Sequence, residues 1–542
     1  MRLCGHEIVA RRLKANGLTH VYGITGTPID ETLAACGKQG MRVIATRHQQ
    51  AAVQAAAAHN YLAGRLEAAV IVSAGPGVSN CATGITVARD NHWPLLVIGG
   101  RRPLAMRDMG AFQALDGVRL FESIAKASAV AEQAQGLAGL LDLACRQTMQ
   151  GRPGPCYLDI AEEALQGVAE YCTAAPPPLE PEPGAVDDWE PVVAGLRRAR
   201  RPVLMLGEEL RWGSPWTALA RLVEVHRIPF VSTPLSRGYL PDSHALCGTR
   251  VRSGLLGEAD WVLIAGASLD WVYRHGAEIH PEARLVRLAY EEDRVFQTLG
   301  RGTEYLGTPS SLLRQLVDAL QPGHGEAVRI DEGWLAALAR RKQRYQQDLA
   351  EQCRDSAAPM TPANWLREAA GAVPEEATTI VDGNIVMAWA QHVLPAELPL
   401  SRLTPGANGC MGMGVPFALA ARLAQPDRPV LAICGDFSLG LNVMELETAV
   451  RHRLPLVVMV ANNSGSGGRL RHMAYWPADY PERVCQFTPD IRYDQIMNAL
   501  GGQGIRVEST QQVAPALKQA FASGRPTLIQ VDTRDDVPLP RL

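Results

Sequence analysis

Apolar and polar residues alternate along the N-terminal third of the chain in a pattern that predicts helices separated by short buried strands. One helical pattern covers about residues 6–16, and another begins near residue 48. Four apolar runs between such patterns predict strands, namely Val21-Tyr22-Gly23, Arg42-Val43-Ile44, AAVIVS and PLLVIGG. Because strands that alternate with helices build βαβ units, we expect a parallel sheet here.

The same alternation recurs in two further parts of the chain. Strands are predicted first at 201–207, 259–266 and 284–290, and then in TTIVDG, RPVLAICGD, LPLVVMVANN and PTLIQVDT. A linker rich in proline and acid at 173–184 and a charged helical segment near 332–355 separate the three parts. A chain of 542 residues also exceeds what one core normally supports. We therefore predict an α/β protein of three domains, each a mostly parallel sheet flanked by helices, over residues 1–172, 185–325 and 356–542.

Two segments of the chain are weakly similar in their order of predicted elements. The segment that begins with AAVIVSAGPGVSN and the one that begins with RPVLAICGDFSLG both continue from a strand through a glycine loop and a helix to an apolar strand. By itself this match indicates two copies of a common supersecondary unit.

The net charge and the composition indicate which kind of molecule the protein binds. The 53 basic and 56 acidic residues give a net charge of -3, which leaves no electrostatic footprint for nucleic acid or an anionic membrane. Residues 68–88 lack charge, but Gly75-Pro76-Gly77 interrupts them, so they predict a strand, a turn and a helix instead of a membrane span. A small-molecule partner is expected.

The cysteines and the N-terminus indicate the compartment. Eleven cysteines are scattered without paired spacing, several inside apolar runs, as is typical of buried free thiols in a reducing environment. The first residues are amphipathic and charged, so they do not resemble a secretory signal. We expect a cytoplasmic protein.

Oxygen-bearing side chains follow two strands of the third part. Asp436 comes directly after the strand ending at Cys434-Gly435, and Asn463 follows the next strand. Between them we predict a helix near residue 440, whose apolar positions Leu441, Met444 and Val450 face one way. A right-handed crossover makes the strands parallel, so both side chains emerge at the carboxyl edge of the sheet and can converge. Oxygen donors of this kind suit Mg²⁺, although each dipeptide alone is also an ordinary turn at a strand end.

The order and spacing of these segments resemble a known family. GDFSLG is followed 463 − 436 = 27 positions later by the second Asn of NNSG, which resembles the magnesium and diphosphate motif of thiamine-diphosphate enzymes. Segments of the first part look like the pyrimidine-binding domain of the acetolactate synthase superfamily, in order: GITGTPIDETL, RHQQAA, SAGPGVSN, HWPLLVIGG, GAFQALD and RPGPCYLDI. WPLLVIGG with GAFQ, and RYDQIMNALGGQGIRV, look most like the branch of 2-hydroxyacyl-CoA lyases and oxalyl-CoA decarboxylases. The likeness spans nearly the whole chain.

The resemblance implies a pyrimidine-binding domain, a Rossmann-like middle domain and a diphosphate-binding domain. It also implies thiamine diphosphate and Mg²⁺ as cofactors, and a homodimer as the minimal active unit, in a homotetramer, because the cofactor lies between one subunit's first domain and another's third. By position, Asp436, Asn463 and the carbonyl of Gly465 would hold Mg²⁺. The other cofactor-binding positions that it implies are Gln49, Pro76, Asn80, Met411, Gly435, Phe437 and Ser438. For Met411 a core methionine is the alternative.

Three further positions are implied to lie near the reacting end of the cofactor. They are Thr25, in the loop from Gly23 to Pro28, and Phe112 with Gln113. The alternative for them is a strand-end turn and a packed aromatic.

The stretch RHQQAA departs from the family at one position. The family usually reads R-H-E-Q-A-A, and its glutamate hydrogen-bonds the aminopyrimidine of the cofactor, but Gln49 stands at that position here. An amide cannot supply a proton in the physiological range, so the general-acid contribution, about 10² to 10⁴ in rate, should be reduced or lost. Glyoxylate carboligase, in the same superfamily, has an apolar residue there. Gln49 is therefore open to three explanations: a natural adaptation, a laboratory substitution, or a mark of lost catalysis.

Other departures weaken a coenzyme A assignment. Phe437 stands where the family has Gly or Ser, SGSGGRLRHM replaces a segment with an aromatic near the substrate, and the chain ends at Leu542 without the longer tail of that branch. We predict a thiamine-diphosphate- and Mg²⁺-dependent enzyme that makes or breaks a carbon–carbon bond in a 2-oxo or 2-hydroxyacyl compound. The alternatives are a non-catalytic cofactor-binding homologue and a protein that binds nucleotides only.

Overall fold

A computed structural model describes most of the chain. The described residues are 1–106, 109–110, 112–176, 184, 186–320, 328–354, 359–467, 473–477, 479–480, 484–534 and 536–540.

The first domain is a six-stranded parallel sheet with helices on both faces. Its elements in chain order are β1 (Arg2–Cys4), α1 (Gly5–Ala15), β2 (His20–Gly23), α2 (Asp30–Lys38), β3 (Arg42–Ala45), α3 (Gln49–Ala63), β4 (Ala68–Val72), α4 (Pro76–Ser79), α5 (Ala82–Asp90), β5 (Leu95–Arg101), α6 (Gly117–Phe121), β6 (Ala127–Ala131), α7 (Leu137–Met149), β7 (Pro155–Ala161), α8 (Glu162–Gln166) and β8 (Val168–Glu170). The sheet order is β3-β2-β4-β5-β7-β6, and β1 pairs separately with β8 in an antiparallel ribbon.

The middle domain is a five-stranded parallel sheet. Its elements are α9 (Glu190–Arg198), β9 (Pro202–Leu206), α10 (Trp216–Glu224), β10 (Phe230–Ser232), α11 (Arg252–Leu256), β11 (Trp261–Ala265), β12 (Arg284–Ala289), α12 (Arg294–Thr298), β13 (Gly302–Leu306) and α13 (Pro309–Ala319). The strand order is β10-β9-β11-β12-β13. A long helix, α14 (Glu332–Gln352), follows as the predicted charged connector.

The third domain is again a six-stranded parallel sheet. Its elements are α15 (Pro362–Ala370), β14 (Thr378–Asp382), α16 (Ile385–Val393), β15 (Arg402–Leu403), α17 (Gly414–Ala424), β16 (Val430–Gly435), α18 (Asp436–Leu441), α19 (Glu445–Arg451), β17 (Val457–Asn462), α20 (Tyr493–Ala499), β18 (Gln503–Val507), α21 (Thr510–Ala522) and β19 (Thr527–Asp532). The strand order is β15-β14-β16-β17-β19-β18.

These sheets confirm the predicted fold class of three parallel-sheet α/β domains. The exact domain limits stay a prediction, and positions 185, 325, 356 and 542 lie outside the described residues. The single helix predicted near residue 440 is wrong, because α18 and α19 are separate. Asn442 ends α18 by donating its side-chain N–H to the carbonyl oxygen of Gly412 (2.6 Å), and Leu441 and Met444 are 50% and 39% exposed.

Helix α3 forms the centre of the contact between the first and third domains. All its residues from Ala51 to Leu62 are buried, because alanines let it approach β2 and β4 on one side and α17 on the other. A helix that is apolar on all sides is a core helix. Aromatic rings close the contact, since Trp93 of the first domain lies 5.4 Å from Phe417 of α17 between ring centroids.

The remaining structural expectations concern cysteines and membrane spans. All eleven cysteines are free thiols, as predicted. In the part of the chain that the structure describes, no helix combines the length and apolar character needed to cross a membrane.

Candidate functional site

Three oxygen-bearing groups meet at the carboxyl edge of the third sheet. Strands β16 and β17 pair in parallel with Gly435 opposite Ala461, so the residues that follow them lie side by side. Asp436 and Asn463 are brought together there, and the backbone of Gly465 joins them, since its N–H donates to Asp436 Oδ2 at 2.9 Å. The topology thus produces the convergence expected from the crossover.

Asp436 is a buried and oriented carboxylate. Its residue is 2% exposed, and its Oδ1 accepts an N–H from Phe437 at 2.8 Å. Burial raises the pKa of Asp436 to about 6, while hydrogen bonds from the backbone N–H groups of Gly465 and Phe437 act in the opposite direction. At neutral pH this carboxylate is ionised, and a cation beside it would replace the hydration that burial removes.

The amide of Asn463 has the geometry of a metal ligand. One of its two terminal atoms lies 3.2 Å from Asp436 Oδ1 and 3.0 Å from the Gly465 carbonyl oxygen. If that atom is nitrogen it donates to both oxygens; if it is oxygen, three acceptors converge, which is favourable only around a cation. Neighbouring ligands of an octahedral Mg²⁺ with bonds of 2.0–2.1 Å lie about 2.9 Å apart. The spacing fits Mg²⁺ with the amide oxygen turned inward.

A cavity of about 480 Å³ lies beside these oxygens. Its lining includes Met411, Gly435, Phe437 and Ser438 together with Asp436, Asn463 and Gly465. The hydroxyl of Ser438 is buried and has no well-aligned hydrogen-bond partner in the described chain, although it lies close enough to Asp382 to act against the rise in the pKa of that carboxyl. It would be available to an oxygen of a bound phosphate group. Gly383 keeps this wall open, because a Cβ there would lie 3.2 Å from the Gly435 nitrogen and 3.3 Å from Ser438 Oγ. The donor set therefore fits a diphosphate with its divalent cation.

Met411 lies on the cavity wall and is not a core residue. It is half-buried, whereas Met413 of the same segment is fully buried and fills the core. Asp382, at the end of β14, holds the segment by accepting N–H bonds from Gly412 and Gly414, the shorter of them 2.8 Å. Burial raises the pKa of Asp382 to about 6. Sequence reasoning missed Asp382, although TTIVDG, an acid before glycine at a strand end, was a usable signal.

Phe437 and Ser438 begin α18. The Phe437 ring stacks with Phe487, with centroids 6.2 Å apart and planes 15° from parallel. Phe437 also lines the cavity, next to Gly435.

The first-domain residues of the predicted site form a second cluster. Gln49 is the first residue of α3, and its Oε1 accepts an N–H from Asn80 Nδ2 at 3.0 Å. Pro76 begins α4, and Asn80 directly follows its last residue; both are exposed. In the described residues, no carboxylate is among the hydrogen-bond partners of Gln49.

Glu445 of the third domain contacts the residues just before α3, and both of its carboxylate oxygens accept hydrogen bonds. Its Oε1 accepts the backbone N–H groups of Arg47 (2.9 Å) and His48 (3.1 Å), and its Oε2 accepts the Thr448 hydroxyl at 2.7 Å. Burial raises the pKa of Glu445. This residue was also missed from sequence, because the contact joins positions almost 400 residues apart.

The structure separates the two predicted halves of the site within one chain. Residues lining the cavity at Asp436 belong to the third domain, with Trp271 of the middle domain, and Gln49, Pro76 and Asn80 are not among them. The first-domain cluster is placed instead by contacts of α3, such as the bond from Asn442 Nδ2 to Gln54 Oε1 at 3.4 Å.

The three residues predicted near the substrate have different surroundings. Thr25 is exposed, and the loop beyond it packs on Ser73, whose Cβ lies 2.8 Å from where a Gly26 Cβ would be. Gln113, at φ 51°, packs on Gly75, where an added Cβ would lie 2.6 Å from the Gln113 Cα. Phe112 is 73% exposed beneath the Arg102 guanidinium, so the packed-aromatic alternative is wrong for it.

Comparison with family models matches three consecutive parts of the chain. Residues 4–120 match the N-terminal TPP binding domain of thiamine pyrophosphate enzymes, residues 190–316 match the central domain, and residues 383–531 match the C-terminal TPP binding domain.

Curated relatives are similar along the whole length. The chain is 31% identical to a probable acetolactate synthase of Mycobacterium bovis, covering 99% of this chain and 96% of the relative. It is 30% identical to a 2-hydroxyacyl-CoA lyase of Oryza sativa subsp. japonica, covering 98% and 95%. It is also 28% identical to an oxalyl-CoA decarboxylase of Escherichia coli (strain K12), covering 97% and 94%.

Proposed function

The chain belongs to the thiamine pyrophosphate enzyme family, and from this premise we propose that it is a thiamine-diphosphate- and Mg²⁺-dependent enzyme acting on a 2-oxo or 2-hydroxyacyl compound. In this proposal it makes or breaks a carbon–carbon bond beside a carbonyl, as a lyase, decarboxylase or carboligase. Its relatives are named as a synthase, a lyase and a decarboxylase.

The observation that carries the proposal is the spacing of oxygens around Asp436. The 3.0 Å and 3.2 Å separations at Asn463 suit the ligand spacing of Mg²⁺, and the adjoining cavity would hold a diphosphate. When bound, the cofactor supplies the nucleophile and the electron sink. Asp436 would neutralise and position the cation, Ser438 would be available to donate to a phosphate oxygen, and Met411 would contact the organic part of the cofactor.

Gln49 determines whether the first domain can supply an acid to the reaction. Its amide accepts from Asn80 and can form hydrogen bonds through its oxygen or its NH2 group, but it cannot release or take up a proton in the physiological range. Gln49 would therefore still hydrogen-bond the aminopyrimidine but would not serve as its acid. We therefore expect activity below that of a homologue with glutamate at this position.

A second cavity supports an extended, anionic substrate. It measures about 540 Å³, lies between the middle and third domains, and shares Trp271, Met387 and Gly409 with the cofactor cavity. Three arginines line it, Arg237, Arg250 and Arg252, against one acid, Glu278, which already pairs with Arg252. A substrate whose carbonyl reacts at the cofactor could place a carboxylate or phosphate there, which includes but does not require a coenzyme A thioester.

A second candidate function is favoured by the Gln49–Asn80 pair. An amide pair in place of an acid is what a homologue with a structural or regulatory role would retain if it bound cofactor without turnover. This candidate shares every contact of the Asp436 cluster and differs only in activity.

We propose a homodimer as the minimal active unit, assembled into a homotetramer in the cytoplasm. The support is the separation within one chain of the Gln49 cluster from the Asp436 cavity, which a second subunit would bring together. The proposal includes a small-molecule substrate and neither nucleic acid nor membrane as partner, in keeping with the net charge of -3.

The test is a calorimetric titration followed by a product screen. We expect thiamine diphosphate to bind only when Mg²⁺ is present, and pyruvate, glyoxylate or a 2-hydroxyacyl-CoA to be converted. Absence of cofactor binding at millimolar concentration would contradict the proposal. Binding without turnover, with no activity gained in Gln49→Glu, would favour the non-catalytic homologue.

A further inference from the structure

Two histidines and a glutamate cluster in the first domain, away from the residues discussed so far. One nitrogen from each ring of His20 and His59 and one carboxylate oxygen of Glu67 all lie within 4.8 Å of one another. His20 begins β2, Glu67 directly precedes β4, and His59 lies in the last part of α3. The cluster is therefore at the amino edge of the sheet, whereas the proposed cofactor residues lie at carboxyl edges.

His59 provides an independent indication of a ligand. Its residue is completely buried, its Nδ1 hydrogen-bonds the Tyr22 hydroxyl at 3.0 Å, and its Nε2 has no hydrogen-bond partner among the described residues. A buried ring nitrogen without a partner costs free energy, so a group that bonds it is expected. With Nδ1 as the donor to the Tyr22 hydroxyl, His59 Nε2 carries the lone pair that a metal ion requires.

The surrounding hydrogen bonds hold the three side chains in ligand-like orientations. Thr19 Oγ1 lies 2.8 Å from His20 Nδ1 and donates to Glu67 Oε1 at 3.0 Å, so one hydroxyl orients both residues. With His20 Nδ1 as the donor to Thr19, His20 Nε2 keeps its lone pair. Arg65 also pairs with Oε1 of Glu67, at 3.2 Å, which leaves Oε2 for another partner. Such outer hydrogen bonds are typical of metal-binding histidines and carboxylates.

We propose that His20, His59 and Glu67 form a Zn²⁺ site that joins β2, α3 and the start of β4. Two imidazoles and one carboxylate form a donor set suited to Zn²⁺ and poor for Mg²⁺. Tetrahedral Zn²⁺ holds its ligand atoms about 3.3–3.5 Å apart, so the ligand atoms, now within 4.8 Å of one another, would approach by up to about 1.5 Å on binding. His20 and Glu67 are partly exposed, which provides an entry path and a water as fourth ligand.

The site would stabilise the far end of the helix that carries Gln49. Ten residues separate His59 from Gln49, or about 15 Å of helix, so the ion is not placed to take part in chemistry at the cofactor. The zinc proposal is independent of the proposed enzymatic function, because it requires only residues of the first domain.

The test uses the full chain, stripped with a chelator and then titrated with Zn²⁺ in excess Mg²⁺, with bound zinc measured by mass spectrometry. We expect one Zn²⁺ per chain and a higher melting temperature with zinc. His20→Ala and Glu67→Gln should each weaken binding by at least about 100-fold, the upper range for loss of an outer partner. His226→Gln, at a half-buried histidine of the middle domain, is the matched control and should bind zinc normally.

The outcomes are separable even if a variant is unstable. His20 and Glu67 are partly exposed, so we expect their variants to fold. If zinc raises the melting temperature of the His226→Gln control but not that of His20→Ala or Glu67→Gln, the result supports the site. Co²⁺ in place of Zn²⁺ should give the intense visible absorption of a tetrahedral complex, and lose it in Glu67→Gln. No zinc retained by the unmodified chain, or unchanged affinity in both variants, would overturn the proposal; a water on His59 would then explain the cluster.

Discussion

The first and third domains share the strand order of their sheets but carry different residues at the carboxyl edges of those sheets. Counting the strands of each six-stranded sheet in chain order, both sheets read second, first, third, fourth, sixth, fifth, and all pairings are parallel. The weak similarity between the segments that begin with AAVIVSAGPGVSN and RPVLAICGDFSLG therefore reflects a strand topology that the two domains share completely. The residues after the corresponding strands differ: β4 leads into Ser73 and a glycine-proline turn, and β16 leads into Asp436.

This difference shows that topology fixes where a site forms and the edge residues fix its chemistry. The third domain presents oxygens suited to a cation, whereas the first presents amides, glycines and, at the end of β5, Arg101. The corresponding helices α3 and α17, each preceding the third strand of its sheet, also pack against one another. The two domains therefore join through the same element of a common fold.

The largest expected effect comes from breaking that junction with Phe417→Ala. Phe417 is fully buried against Trp93 across the domain contact, so we expect a loss of about 3–5 kcal/mol in the free energy of unfolding. Denaturant unfolding should show the first and third domains destabilised together. Phe296→Ala, at a buried ring of the middle domain, should leave that pair intact. Equal effects of both variants on every domain would contradict this coupling.

The second largest expected effect is a loss of cofactor affinity when the proposed Mg²⁺ site of the third domain is changed. Asp436→Ala removes the buried carboxylate that faces Asn463, so we expect thiamine diphosphate affinity in the presence of Mg²⁺ to fall by more than about 100-fold. Calorimetry measures this, and Asp427→Asn, at an exposed acid of the same domain, is the control. Unchanged affinity in Asp436→Ala would remove the basis of the proposed Mg²⁺ site.

Buried carboxylates on the two sheets give a third comparison. Burial raises the pKa of both Asp159 in the first domain and Asp382 in the third to about 6. A raised folded-state pKa means that the contribution of that carboxyl to stability is fully present below its unfolded-state pKa of about 4 and is lost as the pH rises through about 6. We expect Asp159→Asn to remove about 1–3 kcal/mol of this fall between pH 4 and pH 8, measured by denaturant unfolding.

Asp382→Asn should change the same pH window and also affect the cofactor. Asp382 accepts the N–H groups of Gly412 and Gly414 beside Met411, so its replacement should weaken cofactor binding, which Asp159→Asn should not. If both variants weakened cofactor binding equally, the distinction between the two edges would fail.

The smallest expected effect is a gain. Gln49→Glu restores an acid at the start of α3, and we expect turnover to rise by about tenfold or more, with a new basic limb in the pH profile. Gln50→Glu, one position along the same helix, is the matched control and should show no gain. A gain in both variants would indicate a general charge effect and not proton transfer at position 49.

Local patterns were sufficient for most of the fold and for part of the site. Each central strand was marked by an apolar run, and strand topology alone placed Asp436 beside Asn463. The break between α18 and α19 was not predictable, because Asn442 ends the helix through contacts with Gly412 and Gln54, which only the folded chain brings near. The engagement of Glu445 and the exposure of Phe112 likewise depend on long-range packing.

The contact of Glu445 with the start of α3 makes the first domain dependent on the third. Helix α3 has no acidic residue in its first turn, so the negative charge that balances its positive end comes from another part of the chain. A fragment that ended before the third domain would leave that end uncompensated and its alanine-rich surface exposed to water. We therefore expect the first domain to fold as a fragment only when the third domain is co-expressed with it. During synthesis, the start of α3 would become ordered only after most of the chain has been made.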